Sequence, residues 1–153
     1  MIQDSVKAIG KLTVKVTGPD GTVKDQRFID NVVVNVGKAF IASRMRGTTD
    51  ALMSHMAIGT GTVAAAASQS ALGTEVARTA LTGTAAATTT VTNDAVQYSA
   101  LFGPNTPGAP AAVTEAGIFN ASSAGTMLCR TKFDPVNKDV ADSLAITWTV
   151  TIA

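Results

Sequence analysis

The chain has 153 residues, room for one domain and a sizeable core but not for two. Apolar residues make up 46%, charged residues only 15% against a usual quarter, and the net charge is +1 with a mean hydropathy of +0.25. This balance excludes a disordered chain and a nucleic-acid binder that works by charge alone. One cysteine, Cys129, and one histidine, His55, exclude an intramolecular disulfide and a thiolate-rich zinc site.

Residues 1–7 carry an acid early and no long apolar run, so no secretory leader is expected there. No membrane span is expected either, because no apolar window approaches roughly eighteen residues. The protein is expected to be made in the cytoplasm, with Cys129 reduced. Residues 1–10 are unpatterned and are expected to form a docking arm. Over residues 11–17, Leu12, Val14 and Val16 alternate with Lys11, Thr13, Lys15 and Thr17, which predicts a half-buried strand. Gly18-Pro19-Asp20-Gly21 turns the chain, and residues 22–28 return as a hairpin. Residues 29–34 read as extended. Asn35 reads as the N-cap of a short helix over residues 36–47, with Arg44 and Arg46 complementing its negative end and Gly47 stopping it.

Further on the pattern is almost wholly β. Strands are predicted over residues 53–59 and 75–81, with residues 64–70 as a surface loop. Residues 88–92 and 96–102 flank Asn93-Asp94 as a hairpin, with Val96, Tyr98, Ala100 and Phe102 on one face. Residues 103–110 hold Pro104, Pro107 and Pro110 with two glycines, and read as a loop. Residues 113–120 and 127–133 predict another hairpin. The last strand, residues 144–152, is the plainest, because every even position is large and apolar and every odd one is Ala or Thr. Eight or nine short strands with one early helix, no recurring βα unit and no internal period predict a single all-β domain, a two-sheet sandwich or jelly roll.

No catalytic constellation emerges, and no cofactor is expected. Gly59-Thr60-Gly61-Thr62 lacks the lysine and following helix of a phosphate loop, so it is expected to be a turn needing positive φ. Glu75 and Arg78 lie three apart on a strand, which predicts opposite faces and salt links to neighbours. Glu115 is an acid in a weakly polar strand, and one carboxylate cannot supply both groups of a glycosidase. Asp94, Asp134, Asp139 and Asp142 are expected in turns, and Cys129 is expected as a small buried hydrophobe. The protein is therefore expected not to be an enzyme.

Two leads point to an interface. Residues 1–50 hold eight Lys or Arg against five Asp, and residues 51–153 hold four against six acids, so the first third is the basic part. There Lys11 and Lys15 share a strand face and Arg44 and Arg46 end the helix, a set suited to an acidic patch on a partner. The second lead is the ribbon Thr147, Thr149 and Thr151 opposite Trp148, whose small side chains lose little entropy on packing against another subunit. The last strand lacks edge charges, so its edges are expected to be paired or covered.

The string Asp30-Asn31-Val32-Val33-Val34-Asn35-Val36-Gly37-Lys38 with residues 41–45, then Met56-Ala57-Ile58-Gly59-Thr60-Gly61-Thr62, resembles a family of tailed-bacteriophage virion proteins. Residues 114–120, 125–131, 135–138 and 144–150 carry the same resemblance, which spans about residues 30–152. It implies a non-enzymatic virion protein, most like a jelly-roll capsid cement (decoration) protein that sits outside the shell and bridges major capsid protein subunits. Self-association as a dimer or trimer, no direct nucleic acid and no membrane go with it. The loop carrying Pro104, Pro107 and Pro110 is then a second docking arm. Related segments also occur in tail and fibre proteins, so a tail, baseplate or fibre component is the alternative. A carbohydrate-binding module is a remote one, because Trp148 is expected to face inward and Tyr98 is the only tyrosine.

Overall fold

In the computed structural model, which describes residues 4–153, ten strands form two five-stranded antiparallel sheets with one helix. The strands are β1 (Ala8–Thr17), β2 (Val23–Asp30), β3 (Val32–Val33), β4 (His55–Gly59), β5 (Glu75–Ala80), β6 (Gly83–Ala87), β7 (Ala95–Phe102), β8 (Ala111–Phe119), β9 (Met127–Lys138) and β10 (Ser143–Ile152). The helix, α1 (Asn35–Met45), follows β3. Sheet A runs β2-β1-β10-β7-β6, and sheet B runs β3-β9-β8-β4-β5. The layering is sandwich-like, as the alternating strands predict.

The core lies between the sheets because the period-2 pattern puts one set of side chains inward on each strand. Leu12, Val14 and Val16 of β1, Ile146, Trp148 and Val150 of β10, and Tyr98, Ala100 and Phe102 of β7 meet Met56, Ile58, Val113, Ile118, Cys129 and Phe133 of sheet B. Cys129 is a buried free thiol, and burial pushes its pKa up. β10 lies between β1 and β7, so both of its edges are paired.

The chain passes from one sheet to the other four times, at Asn31, at Leu81-Thr82, between β7 and β8, and between β9 and β10. Asn31 is held there by its N–H to the Gly10 carbonyl at 3.2 Å, and its Oδ1 accepts the Trp148 indole N–H at 2.9 Å. A Cβ on Gly10 would lie 1.7 Å from that Oδ1, so glycine is required by close approach.

Several expectations are corrected. Ala8–Thr17 is one strand, and Lys7 and Ala153 exchange two further backbone hydrogen bonds beside it, so the expected arm over residues 1–10 shrinks to Asp4, Ser5 and Val6. Residues 1–3 of that arm lie outside the described residues. The helix begins at Asn35, with Val34 as N-cap and no side-chain cap, and the Asn35 N–H donates to the Ala67 carbonyl at 2.7 Å. Its end is as expected, with Gly47 at φ 70° just past Arg46.

Residues 88–92 are not a strand. The arm pairing with β7 is Gly83–Ala87, and residues 88–94 form a loop gathered around Asp94. The Asp94 carboxylate accepts the backbone N–H groups of Val91, Thr89 and Thr90, which hold its pKa far below the carboxylate range. Asp134 lies inside β9, which runs on to Lys138 instead of ending at Phe133.

Helix α1 rests on β9 through Gly37, where a Cβ would lie 2.0 Å from the Leu128 carbonyl oxygen. Gly→Ala inside a helix ordinarily gains about 1 kcal/mol. Here Gly37→Ala is expected to lower the melting temperature, because the obstructing atom is backbone and the helix must lift from the sheet. A melt followed by circular dichroism checks the sign, and an unchanged or higher melting temperature would refute it.

Candidate interaction surface

The two sheets differ in what covers their outer faces. On sheet B, Glu115 and Arg130 are fully buried and form an ion pair, with Arg130 Nη2 at 2.5 Å and Nε at 3.1 Å from Glu115 Oε2. The pair fastens residues 60–74, the connection from β4 to β5, across the sheet. The Gly61 and Thr74 N–H groups donate to Glu115 Oε1 at 2.9 and 2.7 Å, and that of Gly73 to Oε2 at 2.9 Å. Arg130 donates to Gln69 Oε1 at 2.7 Å and to the Val63 carbonyl at 3.0 Å. Burial alone would raise the Glu115 pKa. The Thr74 and Gly73 N–H groups, Arg130 and the Gly61 N–H outweigh it and hold the carboxyl below its usual value.

This strap corrects the reading of Gly59 and Gly61. Neither has a positive φ; a Cβ on either would lie 2.4–2.5 Å from Glu115 Oε1. Glycine is needed so that the backbone can reach the carboxylate. A small apolar cluster of Val34, Ala57, Phe119 and Met127 is buried there, with half-buried Leu72 of the strap packed against it.

Glu75 and Arg78 are also corrected, because they pair with each other at 2.7 and 2.8 Å. Glu75 lies opposite Gly59 and Ala77 opposite Ile58, so one extra residue, Val76, is inserted into β5. That bulge returns residues three apart to the same face. The Arg78 guanidinium then lies 3.8 Å from the Phe119 ring centroid and donates to the Ala121 and Ala124 carbonyls.

The outer face of sheet A carries no such cover among the described residues. Its registers set Phe28, Thr13, Thr147, Ser99 and Gly83 in one row across all five strands, and Asp30, Lys11, Thr149, Gln97 and Ala85 in the next. A further row holds Gln26, Lys15, Ala145 and Leu101. Phe28 is 80% exposed, Leu101 49% and Ile9 45%, in a face whose other residues are mostly Thr, Ser, Ala and Gln with few charges. At one end, the residue 88–94 loop overhangs a groove of about 450 Å³ lined by Ile9, Lys11, Thr89, Thr90, Thr149 and Thr151.

The residues expected at an interface fall in three places. Lys11, Lys15, Thr147, Thr149 and Thr151 share this one face. Arg44 and Arg46 end α1, which packs on β9 of the other sheet. Arg44 donates to the Asp50 carbonyl at 2.9 Å and lies 5.9 Å from the Phe40 ring centroid, so it is already engaged. The basic set is therefore divided between two elements.

Pro104, Pro107 and Pro110 stand at the end of the sandwich where Val16, Leu144 and Phe102 align. Their loop is tied down by the Asn105 N–H to the Val140 carbonyl at 2.8 Å and by buried Lys138, whose Nζ donates to the Gly103 carbonyl at 3.1 Å. At the same end Lys24 bridges Asp142 at 2.7 Å and Asp139 at 3.1 Å, which raises the Lys24 pKa and lowers that of Asp142.

Among the described residues no group of three His, Cys, Asp or Glu side chains is placed to hold a metal ion. No protein-family model, no curated protein and no solved structure matches the chain.

Proposed function

We propose that this protein is a non-enzymatic structural subunit of a tailed-bacteriophage particle, and within that class a capsid cement protein. It sits on the outside of the shell with the outer face of sheet A against major capsid protein subunits, which it bridges. The bare face of sheet A carries this reading. Sheet B is covered by the chain's own strap while sheet A presents a weakly charged surface with Phe28 at its margin. A sheet face that a monomer leaves uncovered in this way is suited to burial against a neighbour. The resemblance over residues 30–152 supplies the kind of particle, and the jelly-roll description of the sandwich belongs to the same reading.

The mechanism is burial without chemistry. Each copy removes on the order of 1,000–2,000 Å² from water against the shell, and binding that favours the assembled state stabilises it by mass action. The small side chains on β10 lose little rotamer freedom in doing so.

A reconstruction of the particle that locates the chain tests the assignment. The expected density lies on the shell exterior with sheet A inward; density on the tail or baseplate would replace the cement reading by the tail one. At residue level, Phe28→Asp combined with Thr147→Arg is expected to weaken binding to purified shells at least tenfold, since both place charge on a face that must be desolvated. Ser123→Arg, in the exposed β8–β9 turn, should bind as the unaltered chain does. Equal binding by both variants would sink the proposed orientation.

A further inference from the structure

Three of the four sheet edges are guarded. β2 carries Lys24, Asp25, Arg27 and Asp30, and the Arg27 guanidinium reaches the Pro135 carbonyl of β9 at 3.4 Å. β3 is two residues long, and β5 carries the Glu75 and Arg78 pair whose guanidinium crosses to the turn after β8. Charges, short length and cover are the devices that stop a sheet edge from pairing with another chain. β6 has no charge, bulge or cover. It hydrogen-bonds to β7 on one side only, Gly83, Thr84, Ala85 and Ala86 are exposed, and no charged residue or proline occurs between Arg78 and Asp94.

We propose that β6 is a self-pairing edge, at which two copies of this chain join their A sheets antiparallel about a two-fold axis through Ala85. A free edge offers alternating backbone N–H and C=O groups that take up an added strand. The side chains decide which strand that is. A foreign strand is selected by pockets or charges along the edge, and Gly83-Thr84-Ala85-Ala86-Ala87 has neither. Two-fold pairing needs no such selection, because symmetry makes the surface its own complement. Centred on Ala85, it sets Gly83 against Ala87 and Thr84 against Ala86. No charge faces a like charge, and no long side chain blocks the approach.

The product is one continuous sheet with the two bare outer faces side by side. A five-residue seam of small side chains falls below the roughly 1,200 Å² of a standard stable interface, so the dimer is expected to dissociate readily on dilution. The inference concerns the isolated chain. It stands or falls independently of the particle reading.

Sedimentation equilibrium of the purified chain from about 1 µM to about 1 mM tests it, against a seam of the low-affinity class. The unaltered protein is expected to show a monomer–dimer equilibrium in that range. Ala85→Lys and Ala85→Asp should each weaken it at least tenfold, since the axis brings like charges face to face. An equimolar mixture of the two should dimerise again, now as a heterodimer. As a check that needs no variant, backbone amides of residues 83–87 should exchange more slowly at high concentration.

A chain that remains monomeric at the top concentration would overturn the proposal. So would a dimer indifferent to both substitutions, a mixture that stays monomeric although both variants keep the circular dichroism of the parent, or a dimer whose 83–87 amides exchange as fast as the monomer's.

Discussion

Replacing Arg130 by methionine is expected to lower folding stability by about 3–5 kcal/mol, the usual effect of leaving one member of a fully buried ion pair alone. The substitution strands the Glu115 carboxylate with three backbone donors and no counter-ion, and it unpairs Gln69 Oε1 from the guanidinium. Urea unfolding at neutral pH reads the loss as a lower midpoint at unchanged slope. The double variant Glu115→Gln with Arg130→Met should recover part of the loss, because a neutral amide tolerates burial better than an unpaired charge. A single variant within about 1 kcal/mol of the parent would show that the pair is not what fastens the strap.

The same site sets an acid limit. The Glu115 pKa is lower in the folded chain than its ordinary 4.5, so its contribution is complete above that pH and is lost as pH falls through the folded value. Asp25, Asp94 and Asp142 are shifted in the same direction and reinforce it. Stability measured between pH 7 and pH 3 should therefore fall on the acid side of about 4.5.

Trp148→Ala is expected to cost about 3–5 kcal/mol, through the cavity left between the sheets by the largest fully buried side chain. Trp148→Phe keeps much of that volume but removes the donor to Asn31 Oδ1. The Nδ2 of the same amide already has no partner, so the side chain at the sheet crossing loses its one hydrogen bond. Leaving that acceptor unpaired adds about 1–3 kcal/mol to the loss of volume. Thermal melts by circular dichroism should rank the parent above Trp148→Phe and Trp148→Phe above Trp148→Ala. Equal losses in the two variants would assign the whole effect to the hydrogen bond.

What the sequence made legible follows from how local each signal is. The alternation in β1, β7 and β10 was readable because one face of each strand is buried throughout, so side-chain period and core coincide. β6 was invisible because Gly83–Ala87 is an exposed edge of Ala and Thr, with no buried face to impose a period. The Asn93 turn was recognisable, and Asn93 does adopt φ 62°, but the extent of the loop depends on a side chain, Asp94, collecting three N–H groups upstream.

The Glu115–Arg130 pair was out of reach for a different reason. It requires the register that puts Gly117 opposite Arg130 and the irregularity between Val113 and Glu115, and neither leaves a trace in either strand alone. One hint was present, an acid among apolar neighbours beside a strand ending in glycines. The candidate face was partly legible, since Lys11, Lys15 and the β10 threonines share it, whereas Phe28, across the strand pair from Thr13, needed the β1–β2 register to be placed there.

The ladder that ties Lys7 to Ala153 bears on how the chain comes to be folded. β10 is the central strand of sheet A and follows the other nine strands in the chain, so β1 and β7 have no partner between them until it docks. Sheet A thus closes through the pairing of β10 with β1, strands far apart in the chain, the kind of contact whose loop-closure cost slows folding towards the millisecond-to-second range. A chain cut short by its final strand would retain sheet B but expose the inward faces of two unjoined hairpins. Removal of β10 should therefore yield aggregates in place of a shortened folded protein.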